Sequence, residues 1–214
     1  MLCGTNMTDI KISNRSAILR LLHEAGAMSR KQIAARLKLT PATITVIINE
    51  LMNESILVEG NSVPNAGAVG RREVMVEISR EKYVALGLAL SQGLVKFTVV
   101  NLHGEIIHEE TFKLPEILTP EYFAETIGRQ IQLKIASYGY SENFIIGIGI
   151  TVCGVVDFAN GIILDSDGIW EEKNVPIVKM FRKQFSFPVI AANNVRMKGL
   201  NLLSAPGNDL VAAT

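Results

Sequence analysis

Two helix-start signals lie close together near the N-terminus, and only a short helix fits between them. Ser29 is followed three residues later by Gln32, the pattern of a capping box, in which each side chain accepts a hydrogen bond from the other residue's backbone N–H. Thr40 is followed by Pro41, which suits a second helix start because proline at the first helical position loses no hydrogen bond. The spacing therefore predicts two short helices joined by a tight turn.

Apolar residues at helical spacing extend this pattern to three helices and a hairpin. Residues 14–26 carry an apolar face that ends at Gly26, and the two helices that follow repeat the spacing. The expected core positions are Ile18, Leu21, Leu22, Ala25, Ile33, Ala34, Leu37, Ile44, Ile47, Ile48 and Leu51. Residues 56–60 and 72–78 alternate like two strands, joined by the glycine-containing residues 61–72. Helices followed by such a wing are typical of a winged helix-turn-helix.

The third helix is expected to expose small and polar side chains near its start, as suits a helix that enters the major groove of DNA. Short side chains allow close approach to the groove floor, Thr and Asn bond phosphates and base edges, and a methyl group can meet the methyl of thymine. Basic residues of the second helix and of the hairpin suit phosphate or minor-groove contacts. The candidate DNA-binding residues are Arg30, Lys31, Thr40, Ala42, Thr43, Thr45, Asn49, Arg71 and Arg72.

The charge distribution supports DNA binding only weakly by itself. The chain has zero net charge, yet ten basic against seven acidic residues up to residue 80 give that part +3, and the remainder carries −3. The alternative is a three-helix packing module without a role on DNA, since caps and charged faces occur on ordinary helices. The combination of turn, exposed polar residues, wing and basic excess favours DNA binding.

Residues 81–214 predict a mixed sheet covered by helices. Three strand-like runs within 83–112 are separated by Ser-Gln-Gly and Leu-His-Gly turns. The elements expected after them are a helix at about 120–138, a buried strand at 144–152, a hairpin turning at Asn160 and Gly161, a helix near 175–185, a strand at 188–192, a helix from about Asn194 and a strand at 208–214. Hairpin strands followed by alternating helix and strand indicate an α/β fold (α+β overall).

The composition disfavours secreted, metal-dependent and membrane-bound proteins. Neither Cys3 nor Cys153 lies near another Cys or His at metal-ligand spacing, so we expect a reduced, cytoplasmic chain with no metal site and no cofactor. The longest uncharged apolar run, 144–156, is too short to span a bilayer, and the first residues lack an apolar signal core. We therefore expect no membrane partner.

Several segments, taken in order, resemble the ROK family, which groups bacterial sugar-responsive repressors with sugar kinases. The segments are NRSAILRLLHEAG with MSRKQIA, the GRR of the wing, VALGLALSQGLVKFTVVNLHGEII, IGIGITVCGVVDFANGII, NVP and PVIAANN. The resemblance runs from about Asn14 to Thr214. It implies a winged helix-turn-helix DNA-binding domain at 1–80 and, at 81–214, the first lobe of an actin-like, ribonuclease-H-like ATPase fold.

The resemblance also carries an expected function. In the repressor branch of the family, the second domain senses a sugar, a phosphosugar or a protein partner, and it dimerises. The resemblance therefore implies a repressor of carbohydrate-related genes that binds a double-stranded DNA operator as a homodimer or higher homo-oligomer. A sugar kinase with a fused DNA-binding head and a shortened, non-sensing DNA-binding subunit are the alternatives.

The positions that match the kinase motifs of the family carry different residues here. The Asp-x-Gly-Gly-Thr phosphate loop matches residues 89–93, with Ala89 at the position of the acid. The Glu-Asn-Asp motif, whose Asp accepts the proton of the sugar hydroxyl, matches 192–194 and ends in an amide, which cannot accept that proton. We therefore expect no catalytic residue and no kinase activity. The residues left to hold a ligand, or only to cap a helix, are Asn193 and Asn194.

The family's zinc-binding Cys/His motif and most of its second lobe would follow residue 214. The resemblance thus implies that the chain ends partway through a domain, with residues 208–214 matching the first strand of the second lobe. Either the chain is a fragment of a longer product or its gene is shortened, and the sequence leaves both alternatives open.

Overall fold

The computed structural model describes residues 6–63, 73–115 and 119–197. These residues fall into two compact units, one within Met1–Lys82 and one within Tyr83–Thr214. Each unit has its own hydrophobic core. Within the described ranges, no helix is long and apolar enough to cross a bilayer.

The first unit combines helices with a small antiparallel sheet, as the sequence predicts. Its elements are α1 (Met7–Ala25), β1 (Met28–Ser29), α2 (Arg30–Leu37), α3 (Pro41–Asn53), β2 (Leu57–Val63) and β3 (Glu73–Ile78). Strands β2 and β3 form the predicted hairpin, and β1 pairs with the other edge of β3, giving the order β1-β3-β2. The two-residue strand β1 is too short to be visible as a pattern in the sequence.

The caps that the sequence predicts define the starts of α2 and α3. The Ser29 hydroxyl accepts a hydrogen bond from the Gln32 N–H at 3.3 Å, and the Gln32 side chain accepts one from the Ser29 N–H at 2.8 Å. The Thr40 hydroxyl accepts a hydrogen bond from the Thr43 N–H at 3.2 Å. These bonds satisfy N–H groups that have no partner within a helix, so the tight turn between the helices is confirmed.

Helix α1 begins earlier than its apolar pattern indicates. Its N-cap is Asn6, which forms a capping box with Asp9, and Gly26 ends the helix with a φ of 77°. The extra turns place Lys11 beside α3, while Ile10 and Ile12 stay 47% and 58% exposed. Because these exposed residues break the apolar periodicity, the start predicted from the sequence is too late.

The core of the first unit is built from most of the predicted helix positions and from the hairpin, but Ala25 is exposed and Leu21 and Leu37 are half-buried. Its fully buried members, each under 4% exposed, are Ile18, Leu22, Ile33, Ile44, Ile47, Ile48, Leu51, Leu57 and Val76. Each such side chain stabilises the fold by about 1.5–3 kcal/mol through removal of apolar surface from water. The packing fixes one face of α3 inward and leaves the opposite face exposed.

The second unit is a five-stranded mixed sheet with helices on one face. Its elements are β4 (Val84–Ser91), β5 (Leu94–Asn101), β6 (Ile106–Lys113), α4 (Pro120–Ser137), β7 (Ile145–Val152), β8 (Val155–Asp157), β9 (Ile162–Asp165), α5 (Ile177–Phe181) and β10 (Val189–Asn193). The sheet order is β10-β7-β4-β5-β6, with β8 and β9 forming a separate hairpin. Strands β4, β7 and β10 are parallel neighbours, whereas β5 and β6 are antiparallel.

Alternation along the strands divides the sheet into a packed face and a face of small or polar residues. The packed face contacts the buried side of α4, which includes Phe123 and Ile131, and that of α5, which includes Phe181. On the other face, Gly87 of β4 pairs with Gly149 of β7 and with Thr98 of β5. The mixed sheet and its covering helices confirm the predicted fold class.

Helix α5 is shorter than the expected helix near 175–185. Val175 is extended, because its N–H and C=O both bond to Ile163 at 2.8 Å. The helix therefore begins only after Pro176 and ends at Phe181. The helix expected from about Asn194 is present over 194–197, while the strand expected at 208–214 lies outside the described residues, as do Arg71 and Arg72 of the wing.

Candidate nucleic-acid interface and strand-end corner

The outward face of α3 lies opposite its core face and brings the predicted reading residues together. Ala42, Thr45, Val46 and Asn49 are exposed, and Thr43 is half-buried. Val46 is 57% exposed, although it is apolar and β-branched. Positions three and four residues apart share a helix face, so Ala42, Val46 and Asn49 form one continuous surface.

The threonine hydroxyls on α3 already take part in hydrogen bonds within the helix. The Thr45 hydroxyl donates to the Pro41 carbonyl oxygen at 2.8 Å. The Thr43 and Thr40 hydroxyl oxygens lie 2.9 Å apart and share a hydrogen bond. Thr40 therefore serves as a helix cap. The hydroxyls of Thr43 and Thr45 are engaged in hydrogen bonds, whereas their methyl groups make none.

Two grooves border the N-terminal half of α3. A groove of about 420 Å³ between α2 and α3 is lined on one side by Arg30 and Lys31 and on the other by Pro41 and Thr45. The second groove, of about 520 Å³, lies between α1 and α3 and has a more apolar lining. Its lining residues are Ile10, Lys11, Asn14, Ala42, Thr43, Val46 and Ile47.

The two basic residues at the start of α2, Arg30 and Lys31, differ in the contacts that their side chains make with other residues. An Arg30 guanidinium nitrogen lies 3.4 Å from the Met52 sulfur and 3.6 Å from a Glu59 carboxylate oxygen. Lys31 is exposed and lies on the same groove as Thr45. Lys31 is therefore better placed than Arg30 to reach a phosphate without giving up a contact.

Glu50 of α3 and Glu54, the C-cap residue that follows the helix, are paired with α1. Lys11 Nζ lies 2.7 Å from Glu50 Oε1, and Arg15 forms hydrogen bonds to both carboxylate oxygens of Glu54. Sequence reasoning did not identify Lys11 or Arg15, since their partners lie 39 residues away and no local pattern indicates such a pair. The pairing directs both carboxylates of α3 towards α1.

In the second unit, the three parallel strands end at the same edge of the sheet. Leu90 of β4 pairs with Val152 of β7, which in turn pairs with Asn193 of β10. We use "strand-end corner" for the residues that follow these strands, 91–93, 153–154 and 193–194, together with the loop 165–168. Ligands of open α/β sheets bind at such an edge.

Both ends of the Asn193 side chain form hydrogen bonds within the corner. Its amide nitrogen donates to the Gly154 carbonyl oxygen, and its oxygen accepts from the Val195 N–H at 2.8 Å. Asn193 thus caps the helical segment 194–197 and ties β10 to the end of β7. The Asn194 amide nitrogen donates to the Cys153 sulfur at 2.9 Å, and a thiol sulfur is a weak acceptor.

Gln92 connects the turn after β4 to the loop 165–168. Its amide nitrogen donates to the Asp167 carbonyl oxygen at 3.3 Å. Gly168 has a φ of 82°, and a Cβ built there would lie 2.5 Å from that same nitrogen. The positive φ favours glycine at 168, and a side chain there would displace the flexible end of Gln92.

Two carboxylates of this unit, Asp165 in the corner loop and Asp157 at the end of β8, have hydrogen bonds that favour their charged form. The hydrogen bond from Lys173 lowers the pKa of Asp165, and that from the Asn160 side chain lowers the pKa of Asp157. A general base needs a pKa near the working pH, so neither carboxylate is tuned for proton abstraction. The described ranges hold no group of three or more His, Cys, Asp or Glu side chains that could bind a metal.

A shallow cavity of about 290 Å³ adjoins the corner on the small-residue face of the sheet. Ala89, Thr151 and Ala192, which lie in one row across the three parallel strands, are among its lining residues. Trp170 follows the corner loop in the sequence but is buried, with 7% of its surface exposed. Its indole nitrogen has no hydrogen-bond partner among the described residues.

Comparisons with known proteins agree with this two-unit arrangement. Residues 13–58 match the winged helix-turn-helix DNA-binding family, and residues 86–201 match the ROK family. The xylose repressor of Caldicellulosiruptor bescii is 25% identical over 196 residues, which cover 91% of this chain and 48% of that protein. The DNA-binding transcriptional dual regulator NagC of Escherichia coli K12 is 27% identical over 195 residues, covering 91% and 47%.

A solved structure shares the fold across both units. It is the crystal structure of a ROK family transcriptional regulator, a homologue of the E. coli MLC protein, with a TM-score of 0.73 and 24% identity over 91% of this chain and 48% of that one. The chain spans about half the length of the curated relatives it matches. Because the ROK match extends over more than half of the chain, this protein belongs to the ROK family.

Proposed function

We propose that this chain belongs to a sequence-specific DNA-binding transcriptional repressor of carbohydrate-related genes. The observation that carries the proposal is the outward face of α3, which is exposed and bears no acidic residue from Ala42 to Asn49. Its carboxylates, Glu50 and Glu54, pair with α1 instead. The winged helix-turn-helix match at residues 13–58 and the similarity to a xylose repressor and to NagC support the same function.

The two units would have separate functions, DNA binding in the first and ligand sensing in the second. Residues 1–80 would bind the operator, with α3 in the major groove and Lys31 of α2 on the phosphate backbone. Thr40, Ala42, Thr43, Thr45 and Asn49 would lie against the groove, Arg30 beside it, and Arg71 and Arg72 of the wing on phosphates or in the minor groove. Residues 81–214 would sense a sugar or phosphosugar and dimerise, so that two copies of α3 meet half-sites about 34 Å apart.

We propose further that the second unit is not a kinase. Ala89 stands at the position that matches the acid of the phosphate loop, and Asn194 at the position that matches the catalytic Asp. An amide cannot serve as the base. Asn194 is the better ligand candidate of the asparagine pair, because its bond to a thiol sulfur is weaker than the bonds that hold Asn193.

DNA selection tests the proposal directly. A randomised duplex pool is selected with the full chain, and the enriched duplex is measured by gel shift at several salt concentrations. We expect specific binding that weakens steeply with salt, since basic residues release counterions from the phosphates. Lys31→Ala should weaken binding to all duplexes alike and flatten the salt dependence. Arg71→Ala combined with Arg72→Ala should also reduce affinity; unchanged binding would remove the wing from the interface.

Two further assays separate the alternatives. ATP-dependent phosphorylation is measured on a panel of hexoses, and turnover there would support the sugar kinase with a DNA-binding head. Thermal shifts are measured with the same sugars and their phosphates, because a ligand that binds the folded state raises its unfolding temperature. DNA binding without any such stabilisation would favour the shortened, non-sensing subunit over the sugar-responsive repressor.

A further inference from the structure

Val46 lies at the centre of the outward face of α3 with most of its side chain in solvent. It is 57% exposed, one turn after Ala42 and three residues before Asn49. Its two methyl groups are therefore accessible to water. Covering them with a partner would contribute roughly 0.8 kcal/mol of binding free energy per methyl-sized group. Beside it, the groove of about 520 Å³ gains further apolar lining from Ile10 of α1.

Hydrogen bonding within α3 increases the apolar character of this face. The Thr45 hydroxyl donates to the Pro41 carbonyl oxygen at 2.8 Å, and the Thr43 hydroxyl shares a hydrogen bond with Thr40. A base acceptor that sought these hydroxyl protons would compete with bonds already made, whereas the hydroxyl oxygens remain able to accept. Besides these acceptor oxygens and the amide of Asn49, the outward face of α3 presents methyl groups.

The face also lacks the groups that recognise guanine. Bidentate contact to guanine needs an Arg or Lys side chain, and α3 has neither from Pro41 to Asn53. The major-groove group that complements a methyl surface is the 5-methyl of thymine, which the other three bases lack. The match of residues 13–58 to a DNA-binding family supports duplex DNA as the partner proposed for this face.

We infer that Val46, with Ala42 beside it, is a specificity-determining residue that recognises the 5-methyl group of thymine in the operator half-site. The inference rests on the proposed DNA-binding function and adds to it the base that is read. It also assigns a contact to Val46, which lies outside the set of residues expected from the sequence to bind DNA.

Uracil substitution tests the inference, because it removes only the methyl group of thymine. The duplex selected with the wild-type chain is resynthesised with deoxyuridine in place of each thymidine in turn, and affinities are measured by gel shift. We expect one or two positions at which uracil weakens wild-type binding about threefold to tenfold. Val46→Ala should lose a similar factor on the thymine duplex and lose nothing more when uracil replaces thymine at those positions.

Two matched variants complete the experiment. Val58→Ala truncates another exposed valine of the first unit, 39% exposed on β2, and should keep the wild-type response to uracil. Val46→Thr retains one methyl and should show an intermediate response. Circular dichroism and thermal unfolding verify that each variant is folded.

The outcomes separate the inference from the function on which it rests. A wild-type chain that selects a duplex without thymine in the half-site, or that shows no uracil-sensitive position, overturns the inference and leaves DNA binding intact. The same holds if Val46→Ala keeps the full wild-type sensitivity to uracil. A wild-type chain that enriches no sequence overturns the proposed function and the inference together.

Discussion

Arg15 of α1 and Glu54, the C-cap residue of α3, form a bidentate ion pair. Arg15 Nη1 lies 3.0 Å from Glu54 Oε1, and Nη2 lies 2.5 Å from Oε2. These hydrogen bonds lower the pKa of the Glu54 carboxyl group. Together with Lys11 and Glu50, the pair fastens the early turns of α1 along α3 and so helps to set the orientation of the face proposed to meet DNA.

Replacing Glu54 with Gln should destabilise the chain by about 0.5–1 kcal/mol at pH 7, the range for a partly exposed pair with good geometry. Because the folded-state pKa is lowered, this contribution is present above the ordinary carboxyl pKa and is lost as pH falls through the folded value. Urea denaturation of wild type and Glu54→Gln is compared from pH 7 to pH 3. The difference should shrink towards acid; Glu24→Gln, an exposed glutamate on α1, serves as the control.

Replacing Gly154 with Ala should destabilise the second unit by more than about 2 kcal/mol. Gly154 has a φ of 136°, and a Cβ there would overlap the carbonyl oxygen of Asp165. Gly104→Ala is the control, because its φ of 79° is also positive but no atom lies within 4 Å of the added Cβ. Thermal unfolding of both variants is compared, and an equal loss in the two would contradict a clash with Asp165.

Replacing Asn193 with Ala should cost about 1–2 kcal/mol, since it removes a helix cap and leaves the Gly154 carbonyl oxygen without this donor. Asn194→Ala should cost less, because the bond it removes is to a thiol sulfur. Denaturation measures both changes. If Asn194→Ala were the more damaging, the assignment of Asn193 as the structural member of the pair would be wrong.

Tyr138 should titrate well above an ordinary tyrosine. Its hydroxyl donates to Glu110 Oε1 at 2.5 Å, and this bond raises the pKa of Tyr138 to about 12. The folded state favours the neutral phenol, so the stabilisation is present below pH 10 and is lost as pH rises through about 12. Ultraviolet absorbance of tyrosinate should show one late-titrating group, which Glu110→Gln moves to lower pH; Glu109→Gln is the neighbouring control.

Much of the fold could be predicted because its signals are local. The caps at Ser29 and Thr40 involve residues three positions apart. Along β4 and β7, buried and less buried residues alternate because successive side chains point to opposite faces of the sheet. Helix α5 was predicted too long because Val175 is held in an extended conformation by Ile163, a partner twelve residues earlier that no local pattern identifies.

The candidate sites were predictable only in part, for the same reason. The outward residues of α3 follow from helical periodicity, but the contacts of Arg30 with Met52 and Glu59 depend on packing between separate elements. At the strand-end corner, the sequence could not decide whether Asn193 caps a helix or holds a ligand. The structure shows Asn193 in hydrogen bonds with Gly154 and Val195, which the sequence alone does not indicate.

The order of strands in the second sheet has a consequence for synthesis on the ribosome. Strands β4, β5 and β6 are consecutive hairpins, but the other neighbour of β4 is β7, which follows only after α4. After Lys113 has left the ribosome and until Val152 does, the edge of β4 that pairs with β7 has no partner strand. At ordinary elongation rates this interval lasts about 2–8 s, long enough for hydrophobic misassociation. During synthesis this interval is therefore when the edge of β4 is most open to misassociation, while the N-terminal unit, which precedes it in the chain, can already fold.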